Sequence, residues 1–328
     1  THWGCPTMSE QTKARQPIDW KLALKKVNGT FIIMIVYVIV ISIIQPSFLT
    51  IDNLGNLIRA VSIVGIMGSA LTLVMLTGNT DLSTGYMLSL VACVACNYAD
   101  SHPVLAVILP IIVGALCGCI NGFLVGRLKI NAFVTTLGMS YVYAAATQHY
   151  TNSKYLAASS NGWFKFLGQG YVFGVIPMPV VIFALAAIIY SFVLHKTVFG
   201  AQIYAVGTNP VSANFSGISS VKVVWLSYIL GGATVGLAGV VLCARTMSAQ
   251  PLMGAGYEFE VLTAVALGGL NLAGGRGNVA GTVLGVIFVG ILKNSFNILG
   301  LSSGLQYLIL GVLLMISVKA ALDKDGGV

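Results

Sequence analysis

Glu258-Phe-Glu-Val-Leu-Thr-Ala-Val-Ala-Leu-Gly-Gly-Leu-Asn-Leu-Ala-Gly-Gly-Arg-Gly277 is an apolar stretch that closes in a cluster of glycines. Past its two acids it runs without a charge from Val261 to Gly275, and that pattern recurs along the chain. Charge-free runs cover Phe31–Leu49, Ala60–Thr80, Leu82–Ala99, Pro103–Gly126, Ile130–Gln148, Phe166–Leu194, Val223–Ala244, Val261–Gly275, Gly277–Leu292 and Asn294–Val318. A helix that crosses a bilayer needs about 20 apolar residues. The sequence therefore predicts an all-α, polytopic membrane protein with about ten spanning helices. Composition points the same way. Hydrophobic residues make up 57% and charged residues only 8%, against about 25% charged in soluble domains. The mean hydropathy is +0.91, so most side chains face lipid or one another. Leu82–Ala99 and Val261–Gly275 are short for a full crossing, which predicts broken or tilted segments there.

Orientation follows from lysine and arginine, which stay on the cytoplasmic side. Starting inside, that side receives Lys13, Arg15, Lys21, Lys25, Lys26, Arg127, Lys129, Lys196, Lys222, Arg276, Lys319 and Lys324. The outer side receives Arg59, Lys154, Lys165 and Arg245, with Lys293 near the outer end of the ninth run. Both termini are expected inside. Residues 1–7 precede Met8 and read as a cloning remnant, 8–30 as a cytoplasmic segment, 31–320 as the transmembrane domain and 321–328 as a cytoplasmic tail.

Several functions are excluded or disfavoured. The net charge of +8 is spread over loops on one side and not gathered in a basic domain, so no nucleic-acid partner is expected. Cys93 and Cys96 form a C-x-x-C, but no second pair or histidine stands at ligand spacing, so no metal site is expected. Cys117, Cys119 and Cys243 read as small packed thiols. The scattered serines and threonines have no histidine and carboxylate partners, which predicts no catalytic residues. No Gly-Lys pair occurs, so the phosphate-cradling loop of an ATPase is absent. Gly274-Gly-Arg-Gly277 reads as a tight cytoplasmic turn.

Glycine and charge carry the remaining signals. Gly114, Gly118, Gly122 and Gly126 share one helix face, and Gly277, Gly281 and Gly285 are expected to share another. Such small-residue stripes let helices approach closely in lipid. Charge within the runs is sparse, whereas ion-coupled carriers keep it there. Asp81, followed by Ser83, is read as a cap for the next helix or a gate residue, and Lys293 as a side chain that snorkels to the outer interface. Leu71-Thr-Leu-Val-Met-Leu-Thr-Gly78 and Leu262-Thr-Ala-Val-Ala-Leu-Gly-Gly269 agree at five of eight positions and are expected to run in the same direction, a weak internal echo.

Several motifs, in order, resemble the permeases of the ribose, xylose and galactose type of ABC importer. They are Asp81-Leu-Ser-Thr-Gly85, Gly118-Cys-Ile-Asn-Gly122, Thr136-Leu-Gly138, Phe199–Asn209 followed by Ala213 and Ser216-Gly-Ile218, Ser248-Ala-Gln-Pro251, Gly254–Glu258 and Gly274–Gly277. The likeness spans residues 45 to 320. It departs from the family at Asn79-Thr80, Ala201, Ser212-Ala213 and Leu262-Thr-Ala264, which leaves the substrate open.

The resemblance implies a homodimer in the bacterial inner membrane, a cytoplasmic ABC ATPase that holds the ATP and Mg²⁺, and a periplasmic solute-binding protein. It implies no cofactor in this chain. Its coupling helix would correspond to Gly207, Asn209, Pro210, Ala213, Gly217 and Ile218. Within that stretch Pro210 suits a first helical turn, Asn209 a cap and Gly217 a stop. Asn131, Thr135 and Thr136 of the fifth run are the expected pathway residues, since a neutral polyhydroxy substrate needs hydroxyl and amide partners. Gln250, Tyr257, Glu258 and Glu260 are the expected docking residues for the binding protein. The expected cargo is a monosaccharide moved inward. The alternatives are a nucleoside, a branched-chain amino acid or a signalling furanose on the same machinery, and, from other classes, an ion-coupled carrier or a membrane enzyme.

Overall fold

The computed structural model describes residues 29–159 and 162–325. The expected remnant at 1–7 and the lysines and arginine of the N-terminal segment lie outside these residues. Helices dominate what is described. They are α1 (Gly29–Ile44), α2 (Ile51–Leu76), α3 (Thr84–Tyr98), α4 (Leu105–Gly122), α5 (Ala132–Thr151), α6 (Trp163–Gln169), α7 (Met178–Lys196), α8 (Val198–Thr208), α9 (Pro210–Phe215), α10 (Ser220–Thr246), α11 (Tyr257–Leu267), α12 (Val279–Ile298) and α13 (Ser303–Asp325). Two ribbons join loops. Leu156–Ala157 pairs antiparallel with Ser248–Ala249, and Tyr171–Val172 with Ile176–Pro177.

Each predicted run contains a helix, but the helices are not of equal length. Five apolar stretches among the described residues are long enough to cross a membrane: α2, α4 with the π turn that follows it, α7, α10 and α12. At 1.5 Å per residue, α3 covers about 22 Å and α11 about 16 Å, short of a hydrocarbon core of about 30 Å. Both short helices are largely buried, as are most residues of α2 and α10. The interior therefore consists of two long helices and two half-length ones, while α4, α5, α7 and α13 expose large apolar faces.

The stripe of Gly114, Gly118, Gly122 and Gly126 lies against α10. A β-carbon at Gly114 would strike the Gly232 carbonyl, one at Gly118 the Tyr228 carbonyl, and one at Gly122 the Trp225 side chain. The contact is reciprocal, because a β-carbon on Gly232 would meet Gly114. Close backbone approach gains dispersion contacts where lipid supplies no hydrophobic drive. The second stripe is shorter than expected. Gly281 packs against Gly268 and Gly285 against the Ala264 carbonyl, but Gly277 precedes the helix. Asn278 is the cap of α12, and Gly277 has φ +133°, so it belongs to the turn.

Candidate functional site

The two half-length helices each adjoin a stretch where the fold departs from regular helix inside the protein. Between α2 and α3 the backbone opens over Thr77–Ser83. In a low-dielectric interior every freed amide and carbonyl needs a partner, and distant residues supply them. Tyr228 Oη donates to the Thr80 carbonyl at 2.7 Å, and the Leu82 amide donates to Thr136 Oγ1 at 3.1 Å. Asp81 Oδ1 accepts from the Ser83 amide at 2.9 Å and from its hydroxyl at 2.6 Å. Asn121 Nδ2 then donates to Ser83 Oγ at 2.8 Å, and Tyr143 Oη donates to Asn121 Oδ1 at 3.0 Å. A buried polar chain thus ties the break to α4 and α5.

Between α11 and α12 the second break, Gly268–Asn278, folds on itself. The Asn271 amide donates to the Arg276 carbonyl and the Gly274 amide to the Asn271 carbonyl, both at 3.0 Å. Gly274 and Gly275 have φ of +90° and +73°, a region that side chains resist. The two breaks touch. The Gly275 amide donates to the Leu76 carbonyl at 2.9 Å, and a β-carbon at Gly274 would meet Gly78. The two stretches with the internal sequence echo therefore end in glycine turns that lie against each other.

The connector α8–α9 closes this junction. Gly207 of α8 has no room for a β-carbon, which would strike the Leu76 carbonyl and approach the Gly275 amide, and Tyr204 Oη donates to the Gly277 carbonyl at 2.8 Å. Asn209 then caps α9, its Oδ1 accepting from the Val211 and Ser212 amides at 3.0 Å each. Pro210 fills the first helical position, where no amide is needed. α9 ends in a paired stop. The Ile218 amide donates to the Ala213 carbonyl and the Gly217 amide to the Asn214 carbonyl, each at 3.0 Å, with Gly217 at φ +81°. Asn214 Oδ1 accepts from the Ser220 amide and hydroxyl, which pins α9 to the start of α10. Ala213 is buried, while Val211 and Phe215, one turn apart, stand 60% and 89% exposed. An apolar pair on a fixed short helix is thereby left facing outward.

On the opposite side of the half-length helices lies a groove. A cavity of ≈ 460 Å³ runs between α11 and α13, and Glu258, Phe259, Thr263, Tyr307 and Leu310 are in its wall. The half-length α11 and the long α13 thus present a carboxylate, a threonine and a tyrosine to one groove. Small-molecule sites have this size and a few convergent polar groups in an apolar wall.

Comparison with known proteins bears on this arrangement. The family model described as branched-chain amino acid transport system / permease component matches residues 53–318. The chain belongs to this permease family. It is similar to the ribose import permease protein RbsC of Bacillus subtilis, 41% identical over 88% of this chain and 91% of the relative. The fructose import permease protein FrcC of Rhizobium meliloti is 34% identical over 86% of this chain and 80% of its own length. The L-arabinose transport system permease protein AraH of Escherichia coli is 31% identical, with 88% of each chain covered. No solved structure matches the chain. The permease is accordingly a multi-pass protein of the bacterial inner membrane, and its role is transport and not catalysis.

The expected site residues of the permease have these settings in the fold. Asn131 is the exposed N-cap of α5, its Oδ1 accepting from the Phe133 and Val134 amides. Thr136 is occupied by the Leu82 amide, and Thr135 is buried with a hydroxyl that has no partner among the described residues. Asp81 holds the amide of Ser83, the cap position of α3, and none inside the helix.

Of the expected docking residues only Gln250 is exposed. Glu258 is 7% exposed and faces the groove. Glu260 is buried in an ion pair with Lys293, which also lies 5.2 Å from the Tyr257 ring centroid. Lys293 therefore turns inward to a carboxylate and does not snorkel outward. The reason is the half-length of α11. It starts inside the protein, so acids in its first turn meet protein and not solvent. Thr263 and Tyr307, which sequence reasoning passed over, carried no signal beyond lying on helices of ordinary apolar composition.

Proposed function

We propose that this chain is the membrane-spanning permease subunit of an ATP-driven ABC importer that carries a neutral monosaccharide from the periplasm into the cytoplasm. Two copies assemble in the lipid bilayer on a cytoplasmic ATPase, which holds ATP and Mg²⁺, and a periplasmic solute-binding protein delivers the cargo. The exposed pair Val211 and Phe215 on α9 carries this reading. A rigid apolar projection on a short cytoplasmic helix, bonded at its base to the second break and packed on the end of α2, is the form a coupling element needs in order to receive motion from another protein. In this reading Gly207, Asn209, Pro210, Ala213, Gly217 and Ile218 build that element.

The cargo is inferred from two supports. The named relatives move ribose, fructose and L-arabinose. The groove offers hydroxyls, one carboxylate and aromatic faces, which suit a neutral polyhydroxy solute. Branched-chain amino acids, the cargo in the family model's description, are the second reading.

The test is uptake into proteoliposomes holding the permease, its ATPase and its binding protein. ¹⁴C-labelled D-ribose, D-fructose and L-arabinose should compete with one another and not with leucine. Uptake should stop when the ATPase's nucleotide site is disabled. Uptake that persists and follows a proton or sodium gradient would mark an ion-coupled carrier and end the proposal.

A further inference from the structure

The groove between α11 and α13 leaves bonding capacity open on two of its side chains. Thr263 is fully buried in the wall of the ≈ 460 Å³ cavity, and its hydroxyl has no hydrogen-bond partner among the described residues. Buried hydroxyls in this protein usually return a bond to the carbonyl one turn back. Thr72 does so to Gly68 at 2.8 Å, Thr147 to Tyr143 at 2.6 Å and Ser295 to Ile291 at 2.7 Å. Thr263 makes no such bond, although it sits within a regular helix. An unpaired polar group in an apolar wall is unfavourable unless something else completes it.

Glu258 stands in the same wall. Its carboxylate is anchored by the Gly256 amide at 3.1 Å, at the N-terminus of α11, where the helix dipole favours negative charge. Its own amide donates to it as well, and Oε2 packs against Gly85 of α3; a carboxylate has about four acceptor sites, so capacity remains after those two bonds. The nearby lysine does not use it, because Lys293 pairs with Glu260. Tyr307 of α13 lines the cavity opposite and lies against Gly256.

We propose that Glu258 and Thr263 form a hydroxyl-binding subsite on the translocation path. Glu258 accepts hydrogen bonds from adjacent hydroxyls of a neutral sugar, Thr263 completes its missing bond on the same ligand, and Tyr307 covers an apolar face of the ring. The inference rests on the reading of this chain as a monosaccharide permease and goes beyond it in naming the groups that hold the sugar. It also selects by charge. A carboxylate without a cation beside it, in a medium of lowered dielectric, repels an anionic solute.

The experiment uses the permease with its ATPase and binding protein in proteoliposomes, with ¹⁴C-labelled D-ribose, D-fructose and L-arabinose as probes. Thr263→Val removes a hydroxyl that bonds nothing in the fold, so thermal stability in detergent should hold or rise. Uptake at sub-saturating sugar should fall about tenfold, the worth of one hydrogen bond in a site built to make it. Thr263→Ser should restore it. Glu258→Gln keeps the side-chain shape and an oxygen for Gly256, and should lower uptake of every transported probe by a similar factor.

Wild-type uptake by both Thr263→Val and Glu258→Gln would overturn the subsite. So would a loss of stability in Thr263→Val, which would make the hydroxyl structural. If the wild-type assembly moves none of the three probes under ATP, the monosaccharide reading itself fails, and the subsite with it. The wild-type measurement therefore separates the two failures.

Discussion

Lys293→Met should destabilise the protein more than Glu260→Gln, although each breaks the same ion pair. The asymmetry comes from burial, since the Glu260 side chain is 5% exposed and that of Lys293 35%. Removing the lysine leaves a carboxylate in a cavity of ≈ 180 Å³ whose wall includes Val61, Val64 and Val289. Breaking a buried pair in this way costs about 3–5 kcal/mol, and the partial exposure of Lys293 places the expectation near about 3 kcal/mol. Removing the charge of Glu260 strands a less buried cation. Lys293 keeps the Tyr257 ring, 5.2 Å away, and such contacts are worth about 0.5–2 kcal/mol. About 1 kcal/mol is expected for that variant. At about 2–4 °C per kcal/mol for domains of 150–250 residues, the midpoints in detergent should fall by about 6–12 °C and about 2–4 °C. The double variant Lys293→Met/Glu260→Leu should recover most of the loss, because apolar replacement of a buried pair is often neutral. Thermal unfolding monitored by cysteine-reactive dye or size-exclusion survival reads all three. A wild-type midpoint for Lys293→Met would refute the reasoning, and would mean that Arg245, in the same cavity wall, replaces the lysine.

Three further variants test the connector and the first helix break. Gly217→Val forces a β-branched residue to φ +81°, where nothing lies within 4 Å of its β-carbon. The cost is therefore backbone strain alone, about 1–2 kcal/mol, and membrane insertion should be normal while ATPase co-purification and sugar-stimulated hydrolysis fall severalfold. Asp81→Asn keeps an oxygen for Ser83 and should leave uptake within about twofold of wild type. Asp81→Ala strips Ser83 and Asn121 of their anchor and should cost about 1–3 kcal/mol in detergent stability. Equal behaviour of the two Asp81 variants would rule out the hydrogen-bonding role.

The positions of the helices were legible because lipid imposes a simple rule on the chain. Apolar runs such as Val223–Ala244 can be read one segment at a time. Capping and stopping at Asn209 and Gly217 were readable for the same reason, since both depend on neighbours a few residues away. The reading erred where depth mattered. Glu258 and Glu260 look like exposed residues of an outer loop until α11 is known to begin inside the protein, and that depends on α3, α12 and α13 packing around it. Gly277 fits a four-residue spacing, yet the Asn278 cap ends the helix one residue later. The groove was not legible at all, because Glu258 and Thr263 come from one helix and Tyr307 from another some forty residues on, and no local pattern links them.

The junction of Leu76, Gly207 and Gly275 has a mechanical property that its hydrogen bonds do not express. Three chain segments meet there, and Gly207 touches both of the others main chain to main chain. A side chain can change rotamer and take up a small displacement, but a peptide group cannot. A push on Phe215 that tilts α8 and α9 therefore has no slack to cross before it reaches the end of α2 and the turn between α11 and α12. The same absence of play limits the tolerance of the joint, because a methyl group added at Gly207 or Gly275 would act as a shim and shift the resting position of both half-length helices at once.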